Sequence, residues 1–200
     1  MTELEEKKQD DKQDDEEVFP FIEGENIDLV AGNSKWAKLH CKWNNAPNVR
    51  RYARNMWPLT LEEVKKGFDP PADKHTREFV TFTIYHKGDK CPIGTVGFGR
   101  INWVNRNANI FGTIGEPEYW GRGIIGEAIK LLIKYGFTEL NFHKIYAGVF
   151  SPNTRSLRAA EKLGFKKEAI IKESMYVDGQ YQDEHKFALF KRDWMKSNEL

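Results

Sequence analysis

Cysteine is scarce in this chain of 200 residues: there are two, Cys41 and Cys91, and they form no CxxC pair. That excludes a disulfide scaffold and a thiolate metal site. Long apolar runs are absent, and the first residues have neither the cationic start nor the apolar core of a secretory signal. The expected compartment is therefore the cytoplasm, with no membrane partner. An excess of one charge is also lacking, since 31 Lys and Arg face 30 Asp and Glu for a net +1. A surface for duplex DNA is not expected on that balance. No G-x-S-x-G elbow occurs, and His40, His75, His86, His143 and His185 show no H-E-x-x-H spacing. Serine-hydrolase chemistry and a bound metal are both set aside on those grounds.

What is present is a chain with 40% hydrophobic and 13% aromatic residues, enough to bury one core of ordinary domain size. Residues 1–17 carry nine acids and three lysines, a net of −6, which leaves +7 on the rest against the whole-chain +1. The expected organisation is a disordered acidic tail over 1–17 and one domain over 18–200. A mildly basic domain suits a small polyanionic ligand.

Alternating and helical patterns predict the elements. Ile27 to Val30 reads as a short strand, and Lys35 to Trp43 as a helix closed by Asn44-Asn45-Ala46-Pro47. A basic short helix follows, Val49 to Asn55. Its Arg50, Arg51 and Arg54, with Tyr52 and Trp57, read either as an RNA contact or as a solvated face. Thr60 starts the next helix, with Glu62 and Glu63 in its first turn. Three strands come next, Phe79–Tyr85, Ile93–Ile101 and Ala108–Gly115, in an antiparallel meander. In the first, Val80, Phe82 and Ile84 face the core and Thr81 and Thr83 face water. Ile125, Ile129, Leu132, Ile133 and Phe137 then mark one face of a four-turn helix. A buried strand, Ile145–Phe150, precedes a helix from Thr154 to Leu163 with Asn153 as N-cap and Gly164 as C′. Asp178-Gly179 joins the last two strands, Lys172–Val177 and Tyr181–Phe190, as a hairpin. The fold class is α/β: a single domain with a central mixed, largely antiparallel sheet flanked by helices and one helical crossover.

Gly121-Arg122-Gly123-Ile124-Ile125-Gly126 matches G-x-G-x-x-G at the start of the long helix. Glycines let backbone N–H groups turn inward, the helix N-terminus adds partial positive charge, and Arg122 adds a full one. This is a place for a pyrophosphate. A dinucleotide-dependent oxidoreductase fails here, because Glu116 to Trp120 separates strand from glycine, the strand ends an antiparallel meander, and the next strand closes on Phe150-Ser151-Pro152-Asn153 without the ribose acid.

The run Glu116 to Ala128 resembles the acetyl-CoA motif of the GNAT N-acetyltransferases, and Asn153-Thr154-Arg155-Ser156 through Leu163-Gly164-Phe165 resembles the same family's second cofactor element. Trp43 to Val49 and the Asp178-Gly179 hairpin are similar to the branch containing the ribosomal-protein alanine and serine N-acetyltransferases and spermidine N-acetyltransferase. The resemblance covers about residues 19–195. It departs from the family at Trp120, where Gln or Arg is usual, at Ile125, with Gly126 one place late, and at Ala160, where a tyrosine commonly protonates the departing thiolate.

The resemblance implies an acetyl-CoA-dependent N-acetyltransferase, with acetyl-CoA as donor and a primary amine as acceptor: a protein N-terminus, a polyamine or another small amine. The alternative, prompted by Ala160, is a non-catalytic acyl-CoA-binding module on the same fold. A homodimer is left open. The cofactor residues implied are Thr113, Ile114, Gly115, Trp120, Gly121, Arg122, Gly123, Ile124, Ile125, Gly126, Asn153 and Ser156. An N–H near Ile114 is the natural oxyanion donor. Glu116 is the candidate general base and Ser156 the candidate proton donor to the thiolate.

Overall fold

The computed structural model describes residues 18–53, 55–69 and 77–198. The acidic tail over 1–17, Arg54 and His75 lie outside the described residues.

Eight strands form one sheet: β1 Pro20–Glu23, β2 Ile27–Ala31, β3 Val80–His86, β4 Cys91–Asn102, β5 Asn107–Ile114, β6 Lys144–Phe150, β7 Lys166–Val177 and β8 Gln180–Phe190. Their order is β1-β2-β3-β4-β5-β6-β8-β7. Every pairing is antiparallel except β5 with β6. The helices are α1 Ala37–Asn45, entered through a 3-10 turn at Ser34–Trp36, α2 Pro47–Ala53, α3 Leu61–Lys66, α4 Ile124–Thr138, α5 Thr154–Lys162 and α6 Lys191–Ser197.

The parallel pair follows from chain length. A hairpin cannot join parallel strands, and α4 supplies the crossover. Its Ala128, Leu132 and Phe137 bury completely against a core that includes Ile84, Val96, Phe98 and Ile145. The deeply buried stripe begins at Ile124, and Ile125 and Ile129 only flank it. A second crossover, absent from the sequence reading, is α5, which joins β6 to β7 across the intervening β8. β1, α6 and the first half of β7 are also additional; β7 is exposed along most of its length, so no alternation marks it.

Three local signals operate as read. Thr60 caps α3 through a reciprocal box with Glu63. Asn153 caps α5, accepting from the Ser156 N–H at 3.2 Å. Asp178 and Gly179 both take left-handed backbone between β7 and β8. Thr83 departs from expectation: it is 1% exposed, because His40 on α1 lies over that face and contacts its hydroxyl at 3.4 Å.

Candidate active site

β5 and β6 part company. They pair only from Asn107 to Asn109 against Lys144 to Tyr146, yet β5 runs on to Ile114 and β6 to Phe150. The Gly115 N–H donates to Ile93 O at 2.8 Å on the β4 side. By the alternation of an antiparallel ladder, Ile110, Gly112 and Ile114 therefore turn their peptide groups toward the gap. A wedge lined by strand backbone thus opens at the carboxyl ends of both strands. Trp120 stands at its mouth, its indole N–H donating to Ile114 O at 2.9 Å.

The glycine loop borders one side of the wedge. Gly121 and Gly123 have φ of +78° and +81°, conformations that a side chain disfavours. A Cβ built on Gly121, Gly123 or Gly126 meets nothing within 4 Å. Among the described residues, the amide N–H groups from Gly121 to Ile125 have no acceptor, and no side chain caps α4. Five open N–H groups at the start of a 15-residue helix form an anion cradle. The acid in that first turn, Glu127, points away and ties down the β1–β2 turn by accepting from Asn26 N at 2.9 Å and Asn26 Nδ2 at 3.0 Å. Arg122 is exposed above the loop, its guanidinium 5.5 Å from the Tyr119 ring.

The two sequence motifs meet. Trp120, Pro152, Asn153, Thr154 and Arg155 line a cleft of about 170 Å³, with the Arg155 guanidinium 5.4 Å from the Trp120 ring. Asn153 is 8% exposed; its Oδ1 caps α5, and among the described residues its Nδ2 has no partner. Ser156 sits half-buried in the first turn of α5, and the buried Ala160 lies one turn further on. Arg155 was missed as a site residue: helix first turns carry arginines for many reasons, and its neighbour Trp120 is 35 positions away.

Glu116 lies just past β5, where α1 packs against the sheet face opposite α4. Its carboxylate receives Lys42 Nζ at 2.9 and 2.8 Å and the Trp43 indole N–H at 2.8 Å. Burial works to raise its carboxyl, but the Lys42 and Trp43 hydrogen bonds and the Lys42 charge outweigh burial and hold it below the ordinary carboxylate value. Gly115 makes this possible, since a Cβ there would fall inside the Trp43 ring. Lys42 and Trp43 were not legible as site residues, because only the folded chain brings them to Glu116. Thr113 lies two residues before Gly115 on the same face of β5, paired with Thr95. Among the described residues no cluster of His, Cys, Asp or Glu is placed to hold a metal ion. No helix there is long and apolar enough to cross a membrane.

A splayed strand pair, an anion cradle at one helix start and a second helix start beside it suit a long phosphorylated thioester. Comparison with known proteins agrees. Residues 32–166 match the family model described as "Acetyltransferase (GNAT) domain". The chain is 37% identical over 160 residues to an uncharacterized N-acetyltransferase, p20, of Bacillus licheniformis, covering 79% of this chain and 89% of that one. It is 34% identical over 125 residues to the spermidine N(1)-acetyltransferase of Escherichia coli K12, covering 62% and 66%. The crystal structure of spermidine N-acetyltransferase from Vibrio cholerae in complex with CoA and spermine superposes with a TM-score of 0.77 at 26% identity, covering 85% and 98%. The chain belongs to the GNAT acetyltransferase family. It is an N-acetyltransferase that takes its acetyl group from acetyl-CoA and delivers it to an amine.

Proposed function

We propose that the acetyl group passes directly from the thioester to an α-amine in the wedge between β5 and β6. The observation that carries this reading is the placement of the cradle and Glu116 on opposite faces of one strand end. In it, Gly121 to Gly126 and Arg122 hold the pyrophosphate, the β5 peptide groups that face the gap and Asn153 bind the pantetheine arm, and Trp120 and Arg155 flank it; Thr113 and Gly115, implied as cofactor residues by the resemblance, turn their peptide groups to β4 instead. The Ile114 N–H meets the thioester oxygen as it becomes an oxyanion.

Magnitudes decide the proton steps. Freeing a polyamine ammonium of pKa near 10.4 at pH 7.4 costs about 4 kcal/mol, and an α-amine near 7.8 only about 0.5 kcal/mol. A carboxyl held low is a poor resting place for either proton. Glu116 therefore accepts an amine N–H, orients the lone pair toward the carbonyl carbon, and relays the proton to solvent. The thiolate, of pKa about 8.5, needs protonation by only about 1.5 kcal/mol, which the Ser156 hydroxyl or water can supply in place of the tyrosine absent at Ala160.

The proposed catalytic domain is 18–200 and the proposed compartment is the cytoplasm, where the free thiols of Cys41 and Cys91 stay reduced. The relatives named for spermidine make a polyamine the rival acceptor. The test is thiol release over peptide and polyamine acceptors, with pH–rate profiles for wild type and Glu116→Gln. On a peptide α-amine the variant should lose a fewfold in kcat/KM with the apparent pKa still that of the free amine. On spermidine the loss should be larger and should recover as pH rises. An equal, pH-independent loss on both would overturn the role given to Glu116.

A further inference from the structure

On the Glu116 side of the sheet, α2 and the tip of the β7–β8 hairpin enclose a cleft of about 290 Å³. It is lined by Pro47, Arg50, Arg51, Asn55, Met56, Tyr176, Val177 and Asp178. One residue separates α2 from α1, which carries Lys42 and Trp43, and α2 also packs against β5, the strand that leads to Glu116. Among the described residues, the ionised side chains along the approach are Lys42, Arg50 and Arg51 against Glu116 and Asp178, a net of +1.

The carboxylates are already engaged. Asp178 is bridged by Arg51 at 2.6 Å, and Glu116 by Lys42 at 2.8 Å. On neighbouring α3, Glu63 closes the capping box with Thr60, and Glu62 pairs with Lys65 at 3.2 Å. Further down the hairpin, Asp183 takes Lys172 at 2.8 Å. Arg50 is the opposite case: it is exposed at the cleft and has no carboxylate among the described residues. A polyamine entering here would add several positive charges beside an unmatched guanidinium. A carboxylate would meet it with a charge-assisted, bidentate bond. Exposed Met56 and Tyr176 line the cleft with apolar surface for the rest of a chain, and exposed Tyr181 lies against Tyr176 at 5.2 Å.

We infer that the acceptor is a peptide or protein N-terminus with Asp or Glu directly behind its α-amine, and that Arg50 reads that carboxylate. The inference rests on the acetyl-transfer reading above and names its substrate class. It also gives the arginine run of α2 a task other than RNA contact.

The experiment compares kcat/KM of the full chain for the peptides Ala-Glu-Glu, Ala-Gln-Gln and Ala-Lys-Lys, each extended by the same neutral residues, and for free glutamate and spermidine. Wild type should favour the acidic peptide about tenfold or more over the neutral one and further over the basic peptide, free glutamate and spermidine. The preference should shrink in 0.5 M salt. Arg50→Glu should invert the order of acidic and basic peptides with its melting temperature unchanged. A preference for spermidine, or an order that Arg50→Glu leaves alone, would overturn the inference, as would an RNA oligomer that binds through Arg50 and excludes the acidic peptide. Calorimetric titration of the same peptides into the CoA-bound protein separates this from the transfer reading. Were every amine inert, transfer to an α-amine would fall. Tighter binding of the acidic peptide would still support the role of Arg50, and equal binding of all three would refute it.

Discussion

Two glycines near the site work in opposite senses. Gly115 is occupied space: the Trp43 indole lies where its Cβ would be, and that indole holds Glu116. Gly115→Ala should push the ring aside, cost about 1–3 kcal/mol of stability as overpacking, and lower kcat more than tenfold. Gly126 is open space: it lies in the first turn of α4 and a Cβ there touches nothing. Gly126→Ala should raise the melting temperature, since glycine in a helix costs up to about 1 kcal/mol relative to alanine. If the cofactor lies across the loop, the same methyl should weaken acetyl-CoA binding. Denaturant melts and calorimetric titration of both variants check this. A Gly126→Ala protein that gains stability and binds acetyl-CoA unchanged would place the cofactor away from the start of α4.

At the scale of elements, α1 is tied to the sheet by a buried imidazole. His40 is 8% exposed, between Trp43 at 4.9 Å and Phe68 at 5.0 Å, and burial lowers its pKa to about 4. The unfolded chain binds a proton near pH 6.5 and the folded one does not, so stability falls as pH drops from 6.5 toward 4, by up to about 3 kcal/mol. His40→Phe should remove that part of the pH dependence, measured as the difference between wild-type and variant stability at pH 7 and pH 4.5. Parallel curves would mean that His40 is accessible to protons. The elements that were legible in the sequence carry their signals locally: the Thr60 box, the Asn153 cap, the Asp178-Gly179 turn and the apolar stripe of α4. The elements that were not legible draw their meaning from contacts. β1 joins the sheet through β2, and β7 is an exposed edge strand whose two faces do not differ. The candidate site divides in the same way. The cradle is one continuous stretch with its own backbone requirements. The Lys42–Trp43–Glu116 group is assembled across 73 residues by the packing of α1.

The molecule as a whole separates its charges. The −6 of residues 1–17 offsets a chain otherwise at +7, and on the domain Arg155 and Arg50 line the two clefts while Arg122 stands on the glycine loop and Lys42 at Glu116. Removing residues 1–17 should leave thermal stability and turnover within about twofold of wild type, since that stretch offers Met1 and Leu4 as its only apolar side chains to bury. A large fall in either would show that the tail docks on the domain. The most direct measurement is calorimetric titration of acetyl-CoA into wild type and Arg122→Glu. Wild type should bind one equivalent per chain, with affinity that weakens as salt is raised. The variant should melt at the same temperature and bind at least tenfold more weakly, because a carboxylate then faces the pyrophosphate. Equal affinity in the two proteins would mean that the pyrophosphate does not lie on the Gly121–Gly126 loop, and the site described here would be the wrong one.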